Sequence, residues 1–123
     1  MTLKILAIDD SRTIRNLLAA TLEEAGFEYH CAVDGREGVD MYPEVAPDVV
    51  ITDINMPNLD GFGVIEELRG NARTKVPIIV LTTESSAEQK ARARAAGATG
   101  WIVKPFDDMS LISVLRRLTG HAG

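Results

Sequence analysis

Asp9-Asp10, Asp53, Thr82 and Lys104 each stand directly after a short apolar run: Lys4–Ile8, Val49–Thr52, Ile78–Leu81 and Trp101–Val103. If those runs are strands of an open parallel α/β sheet, their carboxyl ends share one edge, and ligands bind at that edge. Residues distant in sequence then converge into one acidic pocket with a cation and a hydroxyl beside it. Clustered carboxylates suit a hard divalent cation such as Mg²⁺, which keeps several waters and takes one or two carboxylates. A hydroxyl and an ammonium beside them suit a phosphoryl group.

Each residue has its own reasons for this assignment. Asp9 and Asp10 would diverge along an extended strand, but at a strand end turning into a helix both can reach one cation, one of them through water. Asp53 fits a third metal ligand, a nucleophile for in-line phosphoryl transfer, or both. The segment Ile54-Asn55-Met56-Pro57-Asn58-Leu59-Asp60-Gly61 after it reads as a turn able to aim the Asn55 carbonyl back at a metal. An ammonium closing a buried strand needs a partner, and the acidic cluster supplies one for Lys104. Pro105 holds Lys104 extended and allows a cis bond. Of Thr82 and Thr83 only one need face the pocket, and strand alternation does not decide which. Taken singly, Asp9-Asp10 could merely cap a helix and Lys104 could merely be solvated. The match across four strands favours a site.

The elements that must position these residues emerge from pattern. Ile5–Ile8, Val49–Ile51, Ile78–Leu81 and Ile102–Val103 are continuous apolar runs, as strands covered on both faces should be. Phe27–Val33 is more polar and belongs nearer an edge. Ile14, Leu17, Leu18, Leu22 and Ala25 share one helical face, with Gly26 as the C-terminal cap. Asp34 and Glu37 form a capping box opening a second helix through Tyr42. Asp60 caps a third, with Phe62, Ile65 and Leu68 inward. Ser85 and Glu88 open a fourth, with a thin inward stripe of Ala87, Ala91 and Ala95, ending near Gly97. Leu111, Val114, Leu115 and Leu118 line a fifth. Five β–α units joined by right-handed crossovers give a doubly wound five-stranded parallel sheet.

The chain of 123 residues, 46% of them hydrophobic, is the size of one domain, 1–123, without repeats or linkers. A net charge of −5 argues against non-specific nucleic-acid binding. One cysteine, Cys31, rules out an internal disulfide and fits a small core residue in a reducing compartment. His30 and His121 lack metal-ligand spacing and are expected at the surface. Without a signal-peptide pattern or an apolar run of about 18 residues, the chain is expected to be cytoplasmic, outside the membrane and monomeric.

The segments Ile8-Asp9-Asp10-Ser11, Asp53-Ile54-Asn55-Met56-Pro57 with Gly61, Leu81-Thr82-Thr83-Glu84 and Gly97–Phe106 carry a family likeness. In this order and spacing, the chain resembles the receiver domain of two-component response regulators over essentially its whole length, most of all the single-domain chemotaxis regulators of the CheY type. The resemblance implies a flavodoxin-like fold with strand order 2-1-3-4-5. It implies that Asp53 is the phosphoacceptor, and that Asp10, Asp53 and the Asn55 carbonyl hold Mg²⁺ while Asp9 acts through water. Thr82 is then the switch hydroxyl and Lys104 the ligand of the phosphoryl oxygens. Asn55 and Glu84 would flank the path of the hydrolytic water. Trp101 occupies the rotameric switch position, where the family usually has Tyr or Phe.

The implied partners are a histidine kinase of the chemotaxis type and the flagellar motor switch protein. Lys90, Arg92 and Arg94, with Arg116 and Arg117, offer a basic patch for an acidic peptide. Within the class, the alternative is a phosphate sink or phosphorelay intermediate that touches no motor. A flavodoxin-type cofactor binder needs a phosphate-cradling loop where this chain has Asp9-Asp10. A phosphatase of the haloacid dehalogenase type needs its two aspartates two residues apart, whereas here they are adjacent.

Overall fold

A computed structural model describes residues 2–120, so the expectation for His121 lies outside the described residues. Strands and helices alternate: β1 (Lys4–Ile8), α1 (Arg12–Glu24), β2 (Glu28–Ala32), α2 (Gly35–Val45), β3 (Val49–Thr52), α3 (Gly61–Gly70), β4 (Ile78–Thr82), α4 (Ala87–Ala96), β5 (Gly100–Val103) and α5 (Asp108–Leu118). All the strand pairs are parallel and the order is β2-β1-β3-β4-β5, as the resemblance implied. The polar β2 lies at an edge.

Strand alternation divides the core in two. Ile5 and Ala7, Val49 and Ile51, and Ile79 and Leu81 pack with Leu18 and Leu22 of α1 and Leu111 and Leu115 of α5. Leu6 and Ile8, Val50, and Ile78 and Val80 face the other way, onto Val45 of α2, Phe62, Ile65 and Leu68 of α3, and Ala93 of α4. Apolar side chains on both faces of the three inner strands therefore force helices onto both sides.

Most caps fall where the sequence put them. Asp34 and Asp60 accept the backbone N–H groups of Glu37 and Gly63, each at 2.8 Å. Gly26 (φ 83°) closes α1, its N–H donating to the Glu23 carbonyl while that of Phe27 donates to Leu22. These paired bonds satisfy carbonyls that the helix end would otherwise orphan.

Four expectations are corrected. Helix α2 runs to Val45 rather than stopping at Tyr42, because Pro43 removes only one donor near its end. Ala46, at φ 47°, closes it with an N–H bond to the Tyr42 carbonyl. The N-cap of α4 is Ser86, whose hydroxyl accepts from the Gln89 N–H, and not Ser85. Ala87, Ala91 and Ala95 are exposed, and the inward face is Gln89, Ala93 and Ala96. A helix of alanines and charges has too little apolar contrast to fix its rotation from sequence. Leu17, expected inward, is 51% exposed.

Two glycines of α3 test this packing. A Cβ on Gly61 would sit on the Asp53 carbonyl oxygen and within 2.8 Å of Ile54 Cα, both backbone atoms that cannot step aside, whereas at Gly70 it would meet nothing. Gly61→Ala should lower stability by about 1–3 kcal/mol, and Gly70→Ala should raise it by about 0.5–1 kcal/mol. Urea denaturation midpoints of the two variants should move in opposite directions.

Candidate functional site

The ladders of the sheet carry the charged residues to one edge. Ile8 pairs with Thr52, and Thr82 with Val103, so Asp9, Asp53 and Lys104 all emerge just past paired ends. Their N–H groups extend the ladders: Asp9 donates to Ala32, Asp53 to Ile8 and Lys104 to Thr82, at 3.1, 3.0 and 2.8 Å. Three strands thus fix three backbones before any side-chain contact forms.

The Lys104 ammonium lies 2.8 Å from Asp9 Oδ2 and 3.0 Å from Asp53 Oδ2 and bonds both. All three side chains are largely shielded, at 9%, 2% and 12% exposure for Lys104, Asp9 and Asp53. Asp9 Oδ1 accepts the Ser11 N–H at 2.9 Å, and Asp53 Oδ1 accepts the Ile54 N–H at 2.6 Å. Asp10 is exposed, yet it offers a carboxylate oxygen within 4.8 Å of those of Asp9 and Asp53. Three oxygen donors converging from two strands, one of them open to water, fit a hard cation that keeps part of its hydration shell. The Lys104–Pro105 bond is cis.

Burial and charge act unequally on the ion pair. Burial lifts the Asp9 carboxyl above its ordinary range, and the bonds from Lys104 and the Ser11 N–H only partly oppose that. For Lys104, burial works against the charge, but the hydrogen bonds to Asp9 and Asp53 outweigh it and hold the ammonium above its ordinary value. One cation shared between two carboxylates leaves the more deeply buried carboxylate undercompensated.

Around this cluster the structure settles some of what the sequence left open. Thr82 is fully buried and Thr83 exposed; the Thr82 hydroxyl accepts the Glu84 N–H at 3.3 Å. By strand alternation Thr82 shares the α3–α4 side of the sheet with Val80, which pairs with Trp101. The Trp101 ring is half-buried on that side, and its indole N–H donates to the Glu84 carbonyl at 3.1 Å. Asn55 donates its side-chain amide to the Glu84 carboxylate at 3.3 Å. Lys90, Arg92 and Arg94 are exposed on α4, and the Arg92 guanidinium is stacked 3.8 Å over the Phe62 ring. Cys31 is half-buried against the α1–α5 core.

Two supporting residues escaped the sequence reading. Arg15, a turn into α1, reaches back to donate to the Asp9 carbonyl at 2.8 Å. Arg69 on α3 donates twice to the Gly97 carbonyl and once to that of Thr74, clamping the C-terminal end of α4. A lone arginine on a helix carries no sequence signal for a distant backbone oxygen.

Asp9, with its folded value raised, loses stability as pH climbs from the ordinary aspartate range through that value. Removing the cation enlarges this effect. Lys104→Met should cost about 3 kcal/mol at neutral pH, the loss should shrink in acid as Asp9 takes up a proton, and adding Asp9→Asn should recover part of it. A deficit that is constant across a pH series of urea titrations would refute this account of the pair.

The family model for the response regulator receiver domain matches residues 5–116. The regulatory protein AtoC of Escherichia coli is 35% identical over 93% of this chain and 24% of its own length. The chain spans half or less of the curated relatives it matches, 24% and 49%. The chemotaxis protein CheY4 of Vibrio cholerae is 43% identical, with a TM-score of 0.90 over 96% of this chain and 99% of that one. The receiver domain of the sensor histidine kinase PA1611 of Pseudomonas aeruginosa is 28% identical, with a TM-score of 0.87 over 98% and 99%; its structure has a magnesium ion coordinated in the active-site cleft.

Proposed function

The chain belongs to the response regulator receiver domain family of two-component signalling, and from that membership we propose that it is a phosphorylation switch acting through Asp53. The observation that carries this reading is the shared ammonium: Lys104 bonds Asp9 and Asp53 together within reach of Asp10. An Asp53 carboxylate oxygen attacks the phosphorus of a phosphohistidine on a partner kinase. The P–N bond breaks, the imidazole leaves, and an aspartyl phosphate remains. Asp10, Asp53 and the Asn55 carbonyl would hold Mg²⁺, with Asp9 reaching it through water. When bound, the ion offsets the charge gathered around the transferring group. Lys104 then turns from bridging two carboxylates to binding a phosphoryl oxygen, and the Thr82 hydroxyl supplies a second contact. The chemistry is confined to the chain's own phosphorylation and its reversal.

A kinase of the chemotaxis type and a flagellar motor switch protein as output are supported by the likeness to CheY4 across both chains. The exposed Lys90 and Arg94 on α4 suit an acidic surface on that output partner. Likeness to the receiver domain of a sensor histidine kinase supports a second reading, a relay or phosphate sink without a motor. A pull-down with and without beryllofluoride separates the two by identifying what binds only the activated form.

Asp53→Asn should abolish hydroxylamine-labile labelling by acetyl phosphate in Mg²⁺. Asp10→Ala should weaken labelling and Mg²⁺ binding more than Asp9→Ala. Comparable labelling of the Asp53 variant would put the acceptor elsewhere.

Output coupling is read through Trp101, the chain's one tryptophan. Its N–H is tied to the loop that also bonds Asn55, so drawing Thr82 toward a phosphoryl group should change the indole's surroundings. Beryllofluoride with Mg²⁺ should blue-shift its emission or reduce iodide quenching, and Thr82→Ala should blunt the response. Unchanged emission with phosphorylation independently confirmed would route the switch through other residues.

A further inference from the structure

Of the clustered carboxylates, those of Asp9 and Asp53 are each held by the Lys104 ammonium and by a backbone N–H. The exposed Asp10 carboxylate accepts no hydrogen bond and forms no ion pair among the described residues. Its direction is therefore set by its own backbone, which lies between two peptide planes. A peptide unit is rigid, so a bond to its carbonyl or its N–H restrains the whole plane. The plane after Asp10 is restrained by the Ser11 N–H, which donates to Asp9 Oδ1 at 2.9 Å. The plane before it is restrained by Arg15, whose guanidinium donates to the Asp9 carbonyl at 2.8 Å.

Arg15 reaches back past the start of a helix whose dipole disfavours a cation there. Helices α2, α4 and α5 carry Glu37, Glu88 and Asp108 in their first turns. Helix α1 has no acidic residue in that place and opens instead on Arg12, with Arg15 a turn further in. Among the described residues Arg15 belongs to no ion pair. Neither the helix dipole nor a carboxylate partner explains this arginine, and its bond to the Asp9 carbonyl does.

Two effects of Arg15 on a bound cation oppose each other. Its charge repels a divalent ion, while its grip on the Asp9–Asp10 peptide aims a ligand at one. The half-buried guanidinium is partly screened by water and salt, whereas partners that orient metal ligands are worth about 10–100-fold in affinity. Orientation outweighs repulsion. We propose that Arg15 is the positioning residue of Asp10, holding the peptide between the two aspartates so that the Asp10 carboxylate points at the cation site. This role rests on the reading that the acidic edge takes Mg²⁺.

Mg²⁺ titrations of the full chain, followed through backbone amide NMR shifts, test the role without any phosphoryl transfer. Arg15→Met should raise the Mg²⁺ dissociation constant about tenfold. Arg15→Lys, which keeps a donor for the carbonyl, should raise it less. A double-mutant cycle separates aiming from a general structural loss. With Asp10→Ala in place there is no carboxylate left to aim, so adding Arg15→Met should then change the constant by less than about twofold. An affinity unchanged or tighter in Arg15→Met overturns the proposal, since loss of a positive charge alone would tighten binding. Effects that multiply in the double variant overturn it too, because Arg15 and Asp10 would then act separately. A wild type without Mg²⁺-dependent shifts removes the metal site itself, and this role with it. Should Arg15→Met lose amide dispersion in its metal-free spectrum, Arg15→Gln, polar but too short for the same reach, carries the same cycle.

Discussion

One buried ammonium between two carboxylates holds together the carboxyl edge of the sheet. Charges so shielded cost several kcal/mol each to bring out of water, and only close, well-directed partners return that cost. Lys104 has such partners because its backbone, with those of Asp9 and Asp53, continues the hydrogen-bond ladders past the strand ends. The strand order sets β1 beside β3 and carries β5 in through β4, so the ion pair closes a circuit through four strands. Gly61 belongs to the same constraint, since a side chain there would displace the carbonyl of Asp53 itself.

The rest of the fold divides into what is held by apolar packing and what is not. Helices α1, α3 and α5 each bury large side chains against the sheet, whereas α4 buries fully only Ala93. Two arginine contacts hold α4 to α3: Arg69 on the Gly97 carbonyl and Arg92 over Phe62. The loop leading into α4 is bonded through Glu84 to Asn55 on one side and to Trp101 on the other. A helix with so small an apolar anchor, joined by directional bonds to the acidic edge, is the element most easily biased by a change of charge there.

The legible parts of the chain share a physical origin. Continuous apolar runs gave strands β1, β3, β4 and β5, and cap residues gave the helix starts at Asp34 and Asp60, because each signal acts within a few residues. The errors arose where local signals were weak or misleading. The alanines of α4 could not fix its rotation, its cap is Ser86 in place of the adjacent Ser85, α2 ends at Val45 rather than Tyr42, and Leu17 fitted an apolar stripe that its neighbours do not cover. Arg15 and Arg69 act on backbone oxygens brought close only by folding, which no spacing along the chain encodes.

By itself, then, the sequence determined the alternation of strands and helices, the convergence of Asp9, Asp10, Asp53 and Lys104 on one edge, and the family they resemble. Those stem from short-range periodicity and from a topology in which every strand of a parallel sheet ends on the same side. The tertiary structure alone decided that Thr82 rather than Thr83 is buried, and that Lys104 is shared between two carboxylates. It also decided that Trp101 is tied to Glu84, and that Leu17 of α1 lies exposed. Each of these depends on which groups remain near water once all layers have packed, and burial is a property of the assembled molecule rather than of any segment.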